Sequence, residues 1–128
     1  MLMASLTAAS ANPVVVYDGK TGKVMVAKDA GKPWFPASLT KLMTAYAVFR
    51  AIKSGQISLE DKVLVSEKAW RTPGSRMFIE VGTRVSVEEL LPGMIVQSGN
   101  DASVALAEHV GGTEETFAQI MNQLAAEL

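Results

Sequence analysis

The 128-residue chain has no cysteine, a single histidine, and only two tryptophans, two tyrosines and four phenylalanines. Absence of cysteine excludes disulfides, thiolate metal sites and a cysteine nucleophile, and suits either a reducing or an oxidising compartment. A lone histidine, His109, leaves a Ser-His-Asp triad with one candidate; near a helix end before Gly111-Gly112, it reads as a surface residue facing the helix dipole. Excess charge of one sign is also lacking: 12 basic and 13 acidic residues give a net charge of -1, and no basic face recommends nucleic acid or an acidic membrane surface. No apolar run is long enough to span a membrane. The length suits one domain with a real core, or part of one.

What is present begins with "MLMASLTAASANP", small and apolar without Lys or Arg, in which Ala9-Ser10-Ala11 has the small-x-small form of a signal-peptidase site. Residues 1–12 are therefore expected to be the remnant of a signal peptide or a disordered tail. The runs "VVVY" (14–17) and "VMVA" (24–27), separated by a polar connection with two glycines, predict a β-hairpin. Helical spacing from Pro36 predicts a mostly buried helix from about Ser38 to Lys53, with Leu39, Met43 and Tyr46 on one face. The middle third reads as irregular with short strands, Val63 to Val65 among them, and Arg71 and Arg76 beside Pro73-Gly74 read as solvated.

Ser86 and Glu89 form a capping box for a helix to about Val96, which Pro92 should kink or shorten. After a break at 97–100, Asn100 or Asp101 can cap a further helix ending at Gly111-Gly112. Thr113 opens the last one, with Phe117, Ile120, Met121 and Leu124 as its apolar stripe.

Two short patterns could carry chemistry. In "FPASLTKLMT", Ser38 precedes Lys41 by three residues at a helix start, so hydroxyl and amine share a face one turn apart. A lysine left neutral by burial and neighbouring cations can serve as the base for a serine, and first-turn N–H groups can face an oxyanion. Alone the pattern is weak, since a chain this long contains about half an occurrence by chance. In "VQSGND", Ser98 and Asn100 occupy the break between two helices, where flanking helices can hold them towards a pocket; the same residues also suit a helix-capping cluster.

Taken together, "PASLTKLMTAY", "MFIEVGTRVSVEELLPGMIV" and "VQSGNDASVALAEHVGG" closely resemble the D-alanyl-D-alanine carboxypeptidases, the low-molecular-mass penicillin-binding proteins of the serine β-lactamase superfamily. The resemblance covers about residues 13–128. It implies an α+β fold of the β-lactamase/transpeptidase type, here an N-terminal hairpin plus helical region without the later sheet strands, with 13–128 as a partial catalytic domain. By position, it makes Ser38 the nucleophile towards the penultimate D-alanine carbonyl, Lys41 its base, Ser98 a proton relay to the leaving amine, and Asn100 the residue that binds the substrate's amide carbonyl.

The implied partners are peptidoglycan pentapeptides ending in D-Ala-D-Ala, with β-lactams as acylating inhibitors. The implied location is periplasmic or otherwise extracytoplasmic. No metal or organic cofactor is implied, which agrees with the lack of any Cys/His/carboxylate cluster at ligand spacing.

One departure matters. The family's third motif, Lys-Thr-Gly, lies on a strand after the Ser-x-Asn loop, whereas the only Lys-Thr-Gly here is at 20–22, before Ser38 and inside the predicted hairpin connection; no Lys follows Lys68. The expectation is a carboxypeptidase fragment, impaired or inactive by itself. The alternatives are a class A β-lactamase-like hydrolase, although that family generally has Ser-Asp-Asn where Ser98-Gly99-Asn100 stands, and a non-catalytic peptidoglycan-binding remnant.

Overall fold

The computed structural model describes residues 12–128, so the leader-like stretch, Asn12 excepted, lies outside the described residues. The chain divides after Pro36 into two units. In the first, strand β1 (Val14–Tyr17) pairs antiparallel with β2 (Val24–Lys28), Val15 opposite Ala27 and Val16 opposite Val26, with an irregularity before Tyr17. The predicted hairpin is therefore present. Its connection is built by Asp18, whose Oδ1 accepts from the backbone N–H of Lys20 (2.9 Å) and Thr21 (2.7 Å) and from the Thr21 hydroxyl (3.0 Å). Lys20-Thr21-Gly22 is thus turn structure, as its place in the sequence predicts.

The second unit, Ala37–Leu128, opens with a 3-10 turn (Ala37–Leu39) running into helix α1 (Thr40–Lys53). Then follow β3 (Lys62–Leu64), α2 (Glu67–Arg71), β4 (Arg84–Ser86), α3 (Val87–Ile95), α4 (Asn100–Gly111) and α5 (Glu114–Ala126). Strands β3 and β4 pair antiparallel, Val63 opposite Val85, so among the described residues the molecule has two two-stranded sheets. The α+β expectation holds.

Helix α4 is the centre of this unit, packing against α1, α2, α3 and α5. Small residues allow those approaches: Ala102, Ala105 and Ala107 on α4 and Ala47 and Ala51 on α1 are buried, around the larger Leu90, Met94, Leu106, Val48 and Val63. Local signals set the boundaries. The Ser86–Glu89 capping box forms reciprocally, Thr113 Oγ1 accepts from Thr116 N (3.0 Å) to start α5, and Gly112 ends α4 with φ +76°.

Four local expectations are corrected. On α1 the inner face is Thr44, Ala47, Val48 and Ala51, mostly small side chains that admit α4 at close range; of the expected face, Met43 and Tyr46 are partly buried against the core, while Leu39, in the preceding 3-10 turn, is 67% exposed, and Leu42 and Phe49 also face outward. The middle third holds a one-turn helix, α2, capped by Ser66 through Ala69 N (3.0 Å) and tied to the start of α5 by the Lys68–Glu114 ion pair (2.8 Å). Neither Asn100 nor Asp101 caps α4; Gly99 occupies the cap position and no side chain caps it. Arg76, read as solvated, is only 24% exposed in its side chain and lies beside Asp101.

Candidate active site

The site is assembled from three pieces of the second unit. The first is the entry to α1. Ser38 sits exposed in the 3-10 turn behind Ala37, which takes a left-handed φ of +48°, and no side chain caps the helix start. Lys41 follows one turn later, half-buried.

The second piece is the Ser98-Gly99-Asn100 turn between α3 and α4. Ser98 is itself left-handed, with φ +57°. Its Oγ lies 2.9 Å from Ser38 Oγ, and Lys41 Nζ donates to Asn100 Oδ1 at 2.6 Å. The two sequence patterns, 60 and 59 residues apart in these pairs, are thereby interlocked.

The third piece, the Pro73–Ile79 loop, was not anticipated as part of the site. Asn100 donates from its side chain to Pro73 O (2.7 Å) and from its backbone to Ser75 O (2.7 Å), and Ser75 Oγ donates back to Gln97 O (2.7 Å). These bonds leave the Asn100 amide only one orientation that satisfies both ends, with oxygen towards Lys41 and nitrogen towards the loop.

Two glycines make the approaches possible. A Cβ on Gly74, which has φ +91°, would stand 2.7 Å from Asn100 Nδ2. One on Gly99 would meet Gly93 O at 3.0 Å, Asp101 Oδ1 at 3.1 Å and Met77 N at 3.3 Å. Ala37, Ser98 and Phe78 (φ +63°) are three non-glycine residues held left-handed in the site or its loop, a conformation costing about 1–3 kcal/mol each that persists only where surrounding contacts over-determine it.

Ser38 and Lys41 stand one turn apart as their spacing predicts, but they bond to different partners. Among the described residues the Ser38 hydroxyl pairs with Ser98, and Lys41 Nζ with Asn100. Lys41 also lines a cleft of 240 Å³ with Thr44, Ala107, Glu114, Phe117 and Met121. Chemically the arrangement offers an exposed hydroxyl, a second hydroxyl within proton-transfer distance, an amine one turn away and an amide held in one orientation.

His109 takes no part in the site. It is partly buried on the last turn of α4, its Nε2 3.5 Å from Asp61 Oδ2. The described residues hold no cluster of three or more His, Cys, Asp or Glu side chains able to bind a metal.

A serine in the turn that enters α1 and a lysine in the first turn of that helix, interlocked with a Ser-Gly-Asn turn on an α+β framework, define a domain of the penicillin-binding, transpeptidase-like class. The solved structures agree. Penicillin-binding protein 5 of Haemophilus influenzae superposes with a TM-score of 0.83 at 42% identity, covering 90% of this chain and 34% of that one. The D-alanyl-D-alanine carboxypeptidase DacD of Francisella tularensis gives 0.84 at 44% identity, covering 93% and 29%.

The family model for D-alanyl-D-alanine carboxypeptidase matches residues 2–128, and the chain belongs to that family. Among its relatives, DacF of Bacillus subtilis is 43% identical over 118 residues and DacC of Escherichia coli 44% identical over 120. The chain spans 30% of the length of each.

Proposed function

We propose that this chain carries the nucleophile side of a serine-type D-alanyl-D-alanine carboxypeptidase acting outside the cytoplasm on peptidoglycan stem peptides. Ser38 Oγ attacks the penultimate D-alanine carbonyl, forming an ester. The C–N bond to the terminal D-alanine breaks, and the serine proton passes through Lys41 and Ser98 to the departing amine. Water then hydrolyses the ester, returning free Ser38. Asn100 holds the substrate's amide carbonyl, and β-lactams acylate the same serine. The observation that carries this reading is the pairing of Ser38 with Ser98 and of Lys41 with Asn100, two contacts between sequence-distant motifs that have no need of each other as helix caps. Residues 13–128 act as one part of a catalytic domain.

Lys68 is the last lysine of the sequence, so these residues supply no Lys-Thr-Gly after Asn100 to bind the substrate carboxylate and to add an oxyanion donor. Losing one such donor costs about 10²–10³ in rate. The 128-residue chain alone is therefore expected to acylate slowly and to release D-alanine from a pentapeptide at or near background.

Support against the class A β-lactamase reading comes from Gly99. The Asp of a Ser-Asp-Asn motif would be crowded there, since its Cβ would sit 3.0 Å from Gly93 O and 3.1 Å from Asp101 Oδ1. The test is the lifetime of the adduct formed with a fluorescent penicillin. Label retained on Ser38 through a long chase supports the carboxypeptidase; rapid loss with penicilloate release supports the lactamase; no label at high ligand concentration supports a non-catalytic binding protein.

A further inference from the structure

Asp101, the residue after Asn100, lies in the first turn of α4 with none of its surface exposed. A buried carboxylate needs hydrogen-bond donors to replace its lost hydration. Here Oδ1 accepts from the backbone N–H of Met77 (3.0 Å) and Ala102 (2.9 Å), and Oδ2 from those of Phe78 (2.8 Å) and Ile79 (3.3 Å). Arg76 Nε, buried and without a hydrogen-bond partner, stands 3.9 Å from Oδ2. Three consecutive loop amides thus converge on one side chain.

That convergence has a conformational consequence. Phe78 adopts φ +63°, rare for an aromatic residue, and its ring stands 76% exposed with the Arg76 guanidinium 5.5 Å from its centre. Residues 76–80 have no regular secondary structure, so these amides have no ladder to satisfy them. The other end of the same loop is held by Asn100, through Pro73 O and Ser75 O. Two adjacent residues at the start of α4 therefore grip both ends of one loop. Asp101 is not serving as a cap, since Gly99 holds that position and the single α4 amide it accepts from is that of its neighbour Ala102.

We propose that Asp101 is a positioning residue of this site. By holding Met77–Ile79 it fastens loop 73–79 against the Ser98-Gly99-Asn100 turn, and it thereby fixes the Asn100 amide that faces Lys41. Its catalytic meaning rests on the acyl-transfer reading above; its geometric meaning does not, and the two are tested separately.

Asp101→Asn keeps the shape of the side chain while turning one acceptor into a donor aimed at a backbone N–H. In the full 128-residue chain, the amides of Met77, Phe78 and Ile79 are expected to exchange at least about tenfold faster in this variant. The side-chain ¹H–¹⁵N signals of Asn100 and Lys41 are expected to shift with them. Leu106→Ala, a fully buried change on the same helix and outside the site, is the control: it lowers Tm and leaves those signals in place. A folded Asp101→Asn with unchanged exchange and unchanged signals overturns the proposal, as does Leu106→Ala moving the same signals equally.

Should Asp101→Asn fail to fold, the wild-type chain still decides. The amides of 77, 78 and 79 must be protected to the degree of the Asn100 amide, and exchange at open-loop rates overturns the proposal. Benzylpenicillin labelling separates the two readings. Slower labelling of Asp101→Asn than of wild type supports the positioning role, and equal rates overturn it. A wild type that is not labelled counts against the acyl-transfer reading alone, leaving the positioning role to be judged by exchange and the Asn100 and Lys41 signals.

Discussion

Replacing Gly99 by alanine poses a question of sign. Gly99 has φ −61° and ψ 113°, a conformation open to any residue, so backbone entropy alone favours the substitution by about 0.4–1 kcal/mol. Against it stands the methyl group, 3.0 Å from Gly93 O, 3.1 Å from Asp101 Oδ1 and 3.3 Å from Met77 N. Two of those atoms are backbone, and the third belongs to a carboxylate held by four N–H groups, so none is the free end of a flexible side chain. Crowding of this kind costs about 1–3 kcal/mol. The steric cost exceeds the entropic gain, leaving a net loss of roughly 1–2 kcal/mol.

For a unit spanning residues 37–128, that loss corresponds to a fall in Tm of about 4–16 °C, using about 4–8 °C per kcal/mol. Thermal melts followed by circular dichroism give the value. Gly112→Ala supplies a comparison, because nothing lies within 4 Å of its Cβ and its loss arises from a φ of +76° alone. A Gly99→Ala variant as stable as wild type, or more stable, would refute the packing argument and with it the steric case against an aspartate at this position.

Other outcomes follow from the same contacts. Asn100→Ala removes the partners of both Lys41 Nζ and Pro73 O, and two lost hydrogen bonds predict a loss of about 1–3 kcal/mol in chemical denaturation, with loop 73–79 exchanging faster. Leu106→Ala, which empties a fully buried site on the central helix, should cost about 2–5 kcal/mol in the same assay and leave β-lactam labelling of the remaining folded protein unchanged. Thr113→Ala removes the cap of α5, and urea titration should show a loss of about 1 kcal/mol.

Acid sensitivity has a definite sign. Glu89 is held below its ordinary 4.5 chiefly by the Ser86 hydroxyl, then by the Ser86 N–H; Asp61 is held below 3.8 chiefly by the Ser58 N–H, then by its hydroxyl. Carboxylates with lowered pKa stabilise the fold above their unfolded values and lose that contribution as pH falls through the folded ones. Tm should therefore drop as pH falls below about 4.5, and less steeply in Glu89→Gln and Asp61→Asn, whose pH profiles test the assignment.

Much of this was legible in the sequence because the signals were local. The hairpin followed from two β-branched runs around a polar turn, and Ser86–Glu89 and Thr113 marked helix starts through their own side chains. The position of Lys20-Thr21-Gly22 in the turn could likewise be read from Asp18 and two glycines. What escaped depends on long-range packing. Leu39 and Leu42 turn outward because α4 brings alanines to the opposite side of α1, and no periodicity within α1 shows which face a distant helix will choose.

The same holds at the site. Ser38, Lys41, Ser98 and Asn100 could be singled out as two motifs, but the 73–79 loop that holds Asn100 carries no motif of its own. Asp101 looked like a helix cap because caps are what acidic residues at helix starts usually are. Its three loop amide partners lie 22 to 24 residues earlier in the chain.

Ser38 is the residue proposed to be acylated at this site. Peptide-mapped mass spectrometry after incubation of the 128-residue chain with benzylpenicillin tests it most directly. Slow formation of a single penicilloyl adduct on the Ser38 peptide is expected, absent from Ser38→Ala and retained in Leu106→Ala. An adduct on Ser98, an adduct that persists in Ser38→Ala, or none at saturating ligand over long incubation would contradict it.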